Sequence, residues 1–504
     1  MRTNPLKRGN GILMPISSLP SNYGIGTLGK EAYNFINFLK KMNCNYWQVL
    51  PIGPTSYGDS PYQSFSAFAG NPYFIDLDIL VSEKLLKQSE INECFWFDRE
   101  DEVNYGAQYW YRFKLLRKAY SRSKHKDTDE YKHFLEEHAF YLHDYALYMS
   151  VKAAFEDKAW QEWDEDIKKR QPEAIRFYEE KYADDIDFWK FLQFKFNEQW
   201  SKLKAAAKEA NIDIVGDIPL YVSLDSADVW ANPKLFELDE DLEQINVAGV
   251  PPDYFSKTGQ RWGNPIYRWD IMENDWFYWW RERMRFAAMK YDVIRIDHFI
   301  GIVNYYSIPA SCETAMEGEW VKGPGKVLME MISSVIGDAK IIAEDLGVLT
   351  QNVVDVITEC GYPGMKVLEF GMDLNPDNLF LPHNYVTDNC VAYIGTHDND
   401  TLKGFLDKLP KKKIDNLKFY FNASENVDLQ TAVIKALYAS SARVTILQMQ
   451  DILGLGSEAR INMPSTIGTN WRWRMTKDQY SKIDTKYYTK LATLYNRLEK
   501  TTEE

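Results

Sequence analysis

Eight short apolar runs recur along the chain, at 11–19, 46–52, 212–222, 291–299, 340–346, 365–370, 390–396 and 444–451. Several are continuous Ile, Val and Leu rather than alternating, the pattern of strands covered on both faces in a parallel sheet. Amphipathic stretches at 30–42, 201–210, 275–290, 325–336, 350–360 and 428–440 read as helices between them. Eight strands alternating with helices predict an α/β fold, a (β/α)8 TIM barrel. The spacing is uneven. The second and third runs stand much farther apart than one helix requires. The interval 83–200, rich in Trp, Tyr, Phe, Glu and Lys, reads as an inserted, mainly helical subdomain. The stretch 223–290 reads as a second insertion, whose Pro- and Gly-rich part, 247–269, is too long and polar for a plain connector and suggests a substrate lid. On this reading residues 1–504 are one catalytic barrel with insertions in its βα loops, and the residues after 451 leave no room for a C-terminal β-domain.

Charge sits at the ends of the apolar runs. Arg295-Ile-Asp297-His298 ends the fourth. Strand side chains alternate, so Arg295 and Asp297 share a side, and the guanidinium would keep a buried carboxylate ionised, as a nucleophile requires. Glu344 ends the fifth run and is a candidate general acid, because crowding by other carboxylates raises a carboxyl pKa. Its neighbour Asp345 points to the other face and reads as a loop or helix cap. His397 and Asp398 end the seventh run, and Asp217 ends the third. In a barrel these acids meet on one rim. Two carboxyls and an electrostatic helper suit glycosidic bond chemistry. A calcium or magnesium site also uses clustered carboxylates, but Arg295 inside the cluster argues against a bound cation.

Composition narrows the ligand. Aromatic residues make up 15 % of the chain and the net charge is -14, so a flat, neutral ligand fits better than a nucleic acid. The loop from Tyr57 to Tyr73 interleaves rings with Ser60, Gln63, Ser66 and Asn71, which suits the apolar faces and hydroxyl rim of a sugar. Arg460, Asn462, Trp471 and Trp473 follow the last run and supply another aromatic wall. The five cysteines are scattered, no stretch is a membrane span or signal h-region, and no Gly-rich phosphate loop is present. A cytoplasmic protein with free thiols is expected.

Taken together, SYGDSPYQSFSAFAGNP, GDIPLYV, VAGVPPDYFSKTGQRWGNP, RIDHF, IIAEDLG and GTHDND, in this order, resemble the 4-α-glucanotransferases of glycoside hydrolase family 77, the amylomaltases. The resemblance runs from about residue 11 to 473. It implies Asp297 as nucleophile, Glu344 as acid/base and Asp398 as transition-state stabiliser. It places Tyr62, Asp217 and Arg295 at the donor sugar, with His397 beside Asp398. Tyr57 matches an aromatic holding glucan farther off, and Trp262 matches a substrate-contacting lid residue. Ser60 and Asn462 join the substrate-binding set. The expected reaction is retaining transfer of an α-1,4-glucan segment to the 4-hydroxyl of an acceptor, with the two carboxyls about 5–5.5 Å apart. Starch, glycogen or maltooligosaccharide chains are the expected partners, with no nucleic acid, membrane, metal or organic cofactor. An α-glucan hydrolase with the same residues and a non-catalytic glucan-binding protein are the alternatives.

Overall fold

The computed structural model describes residues 5–56, 58–252 and 256–498. Eight parallel strands form the centre: β1 (Gly9–Leu13), β2 (Tyr46–Gln48), β3 (Asp213–Ile218), β4 (Val293–Ile296), β5 (Lys340–Ala343), β6 (Gly364–Val367), β7 (Cys390–Tyr393) and β8 (Val444–Gln448). Their order is β6-β7-β8-β1-β2-β3-β4-β5. Each of the eight runs read as strands overlaps one, with β1 and β6 starting before their runs at 11 and 365, and the fold is a (β/α)8 barrel.

The sheet is nearly closed, and a side chain bridges its seam. Ala343 N–H donates to the Pro363 carbonyl at 3.0 Å. Met365 N–H donates to Asp345 Oδ1 at 2.7 Å. Asp345 is therefore not a loop or helix cap: its carboxylate takes the place of a strand carbonyl between β5 and β6. A Cβ on Gly364 would lie 2.2 Å from that carboxylate, so the seam requires glycine there.

Alternation along the strands sorts two cores. Leu13, Tyr46, Val215, Val293, Ile342, Met365, Val391, Tyr393 and Ile446 pack inside the barrel. Ile12, Trp47, Ile214, Ile294, Ile296, Ile341 and Ala392 pack outward against the helices. Side chains two residues on from Val215 and Val293 stay on the inner side. Those residues are Asp217 and Arg295, which face each other in register across β3 and β4.

Between β2 and β3 the chain is mainly helical and includes Leu142–Ala154 and the long Ala183–Glu209. Phe68, from the loop after β2, stacks on Tyr141 and meets Phe140, Trp279 and Phe286, tying that loop to the inserted helices. The stretch read as a lid carries regular structure. Asn246–Val250 and Gln260–Pro265 form an antiparallel hairpin. Asn304–Pro309 and Glu319–Lys322 extend it to four strands, so this sheet reaches beyond the stretch 223–290. Gly259 and Gly263 take positive φ in the hairpin, at 69° and 79°. No helix among the described residues is long and apolar enough to cross a membrane.

Candidate active site

The strand ends aim four ionisable side chains, Asp217, Arg295, Asp297 and Glu344, into the barrel mouth. Arg295 Nη1 lies 2.8 and 2.7 Å from the two oxygens of Asp217 and 2.9 Å from Asp297 Oδ1. Arg295 and Asp217 are buried, while Asp297 stays partly open to solvent. Burial opposes the charge on Arg295, but Asp217 and Asp297 outweigh it and lift its pKa well above the ordinary value. The guanidinium is a fixed cation, and it holds Asp297 in place by one oxygen. Met365 Sδ, 3.4 Å from Arg295 Nε, closes the other side.

Glu344 sits across from this pair. Its N–H donates to the Ile296 carbonyl, and its own carbonyl accepts from Phe299 N–H, which locks the end of β5 to the end of β4. Its carboxyl takes two more backbone N–H groups, from His298 at 2.7 Å and from Leu346 at 2.9 Å. His298, the residue after Asp297, sits at a left-handed φ of 48°, the turn that points its N–H at Glu344. Burial pushes the Glu344 carboxyl up to about 8; the nearby Arg295 opposes this and the charge of Asp297 adds to it. Glu344 thus keeps its proton at neutral pH although Arg295 is near. Burial holds His298 down, at about 4, as a neutral ring.

The third acid is more exposed. Asp398 Oδ1 accepts from Asn462 Nδ2 at 2.6 Å, and Oδ2 lies 3.4 Å from His397 Nε2. Asn462 N–H donates to the His397 carbonyl at 3.1 Å, so the segment after β8 is fastened to the turn after β7. Arg460 Nη2 adds a bond to the Asp398 carbonyl at 2.5 Å.

An aromatic wall faces the acids. Tyr62 donates its hydroxyl to Asp217 Oδ2 at 2.8 Å. Its ring stacks on His397, with centroids 5.1 Å apart, and Trp471 leans against both. Burial, and then the charge of Asp217, raise the Tyr62 phenol well above its usual pKa, so it remains a donor. Trp262, from the hairpin, sets its ring edge-to-face on His298 at 4.8 Å and donates to Gln260 at 3.1 Å.

Asp217, Arg295, Asp297, Glu344, His397, Asp398, Asn462, Tyr62 and Trp262 therefore fall on one rim. Ser60 serves it indirectly: its hydroxyl accepts Tyr62 N–H at 3.2 Å and shapes the turn that presents Tyr62. Tyr57 and residues 253–255 lie outside the described residues. Among the described residues no group of three His, Cys, Asp or Glu could hold a metal ion. The sequence reading missed the bracing roles of Arg460 and of the His298 backbone. The signal available was that Arg460 is the one Lys or Arg between residues 452 and 471.

The profile of glycoside hydrolase family 77, described as 4-alpha-glucanotransferase, matches residues 14–479. The chain belongs to this family. The 4-alpha-glucanotransferase of Clostridium butyricum is 46 % identical over 489 residues, covering 96 % of this chain and 100 % of that protein. The 4-alpha-glucanotransferase of Thermus thermophilus is 43 % identical, covering 94 % of this chain and 96 % of that one. A solved structure of amylomaltase from Streptococcus agalactiae in complex with acarbose is 39 % identical, with a TM-score of 0.94, and covers 98 % of this chain and 100 % of that chain.

Proposed function

We propose that this family 77 transferase works by retaining double displacement on α-1,4-glucans, with Asp297 as nucleophile, Glu344 as acid/base and Asp398 as stabiliser of the transition state. The observation that carries the reading is the split between two neighbouring carboxyls. Asp297 is tied to a fixed guanidinium and Glu344 is buried and retains its proton. A pair so divided supplies an anion for attack and an acid for the leaving group at one pH.

In the first step Asp297 attacks the anomeric carbon and Glu344 gives its proton to the departing glycosidic oxygen. The C–O bond breaks, the leaving glucan departs with a new hydroxyl, and a glucosyl ester on Asp297 remains. In the second step Glu344, now ionised, takes the proton of an acceptor 4-hydroxyl. The acceptor oxygen displaces Asp297, and the new α-1,4 bond has the original configuration. Tyr62, Asp217, Arg295 and His397 would line the donor sugar, with Asn462 fixing Asp398. Trp262 and the hairpin would cover the reacting centre and keep water from the ester. The helical stretch 83–200 and the stretch 223–290 act in this reading as inserted subdomains that shape the cleft. The free cysteines fit a reducing, cytoplasmic setting.

Incubation with maltotriose tests the reaction. Transfer yields glucose and longer oligomers at a constant total of reducing ends. A rise in reducing ends equal to the bonds broken would make the protein a hydrolase. An unchanged product distribution would make it a binding protein.

A further inference from the structure

The acid-at-strand-end pattern extends to two residues that the mechanism leaves unused. Glu369 lies in the short turn Leu368–Gly371 after β6, and Asp451 follows β8. Both are buried, and Glu369 Oε1 and Asp451 Oδ2 have no hydrogen-bond partner. The other oxygen of Glu369 faces the turn that carries His397 and Asp398. Asn399 Nδ2 donates to Glu369 Oε2 at 3.1 Å. Asn399 Oδ1 in turn accepts Thr396 N–H at 2.9 Å and the Thr396 hydroxyl at 3.0 Å. Asn399 N–H closes the turn on the Thr396 carbonyl, and Glu369 N–H holds the Ile394 carbonyl at 3.0 Å. The contact is close: a Cβ on Gly395 would lie 3.0 Å from Glu369 Oε1 and 2.8 Å from Asn399 Cβ. The turn at 394–399 is thus seated on Glu369.

We propose that Glu369 is a positioning residue for glucan transfer, which acts through Asn399 to fix the turn after β7 and with it the aim of Asp398 and His397. The proposal rests on the role given to Asp398 above. Glu369 does this as a neutral acid. The charged groups around it are Asp451, Asp400 and Arg460, and Asp400 is paired to Lys408. Arg460 spends its guanidinium on the carbonyls of Asp398 and Asn462. Burial and the charge of Asp451 hold Glu369 above the usual carboxylate range. A neutral amide can accept the same bond from Asn399, so glutamine should replace it.

The test is steady-state transfer from maltotriose at pH 7 by E369A, E369Q, N399A, E369A/N399A and D398N, each with its Tm. E369A and N399A should each lower kcat about tenfold to a hundredfold with little change in KM, and the double variant should fall no further than the worse single, because the two residues form one relay. E369Q should stay within about threefold of the unmodified enzyme, the pattern expected when only the hydrogen bond matters. A kcat for E369A within about threefold of normal, or losses that multiply in the double variant, would overturn the proposal, as would an E369Q as poor as E369A. A purely structural role would lower Tm and leave kcat of the folded enzyme unchanged. If E369A does not fold, N399A decides alone: a normal kcat overturns the relay. D398N separates the two levels. Full turnover by D398N would refute the assigned role of Asp398, whereas an inactive D398N beside a normal N399A would refute only the relay.

Discussion

Asp297→Asn is expected to lower maltotriose disproportionation by at least about three orders of magnitude while glucan affinity and folding persist. An amide is a poor nucleophile, so the ester cannot form, and no other acid is poised to replace Asp297. Asp217 is committed to Arg295 through both oxygens, and Asp398 is held by Asn462. The fold survives for a definite reason. Removing a partner from a buried ion pair costs roughly 3–5 kcal/mol when the remaining charge is stranded. Here Arg295 keeps Asp217, and the substituted amide still offers an oxygen to the same guanidinium nitrogen. Isothermal titration with a maltooligosaccharide, beside circular dichroism, checks both halves. Loss of folding would mean that Asp297 serves the barrel rather than the reaction.

Glu344→Gln is expected to fall by a similar factor on maltotriose, about three orders of magnitude, but to split the two steps when the donor is an α-glucosyl fluoride. Fluoride leaves without a proton, so the ester still forms. The second step then stalls for want of a base, and the ester accumulates. The substitution also carries a structural cost. Both Glu344 oxygens accept backbone N–H groups, and a glutamine nitrogen cannot. The unmade bond costs about 1–3 kcal/mol and should appear as a lower Tm. In the unmodified enzyme the first step needs the protonated form, and the Glu344 pKa is about 8. Because that pKa is raised rather than lowered, kcat/KM should hold through neutrality and fall as pH rises through about 8. A fall near about pH 5 instead, or Glu344→Gln turning over the fluoride donor at the normal rate, would remove Glu344 from both roles.

The legible part of the site came from period two. Asp217, Arg295 and Asp297 follow apolar strands with their parity intact, so their shared face could be read before any fold was known, and β3 pairs with β4 to set Asp217 against Arg295. The same rule applied to β6 would have found Glu369, which shares the parity of Met365, but not Asp451, which lies in the short helix Met449–Leu453 and is out of step with Ile446. Glu369 was passed over because it sits inside an apolar run that looked like strand to its end. The antiparallel sheet was hidden for another reason. Gly249, Gly259, Gly263 and the prolines of the hairpin imitate a loop, and the strand Asn304–Pro309 that pairs with it arrives only after β4. Its pairing is a long-range fact that local propensity does not contain. The seam is similar: nothing in the residues near Asp345 says that its carboxylate stands in for a carbonyl of a missing ladder.

The ester on Asp297 is the centre of the account, and it can be seen directly. Glu344→Gln is incubated with an α-glucosyl fluoride, quenched in acid, digested and analysed by peptide mass spectrometry. The account predicts a glucosyl adduct on the peptide containing Asp297, absent from the Asp297→Asn/Glu344→Gln double variant and lost on adding an external nucleophile such as azide. An adduct on any other residue, or fluoride release at the normal rate with no adduct at all, would contradict it.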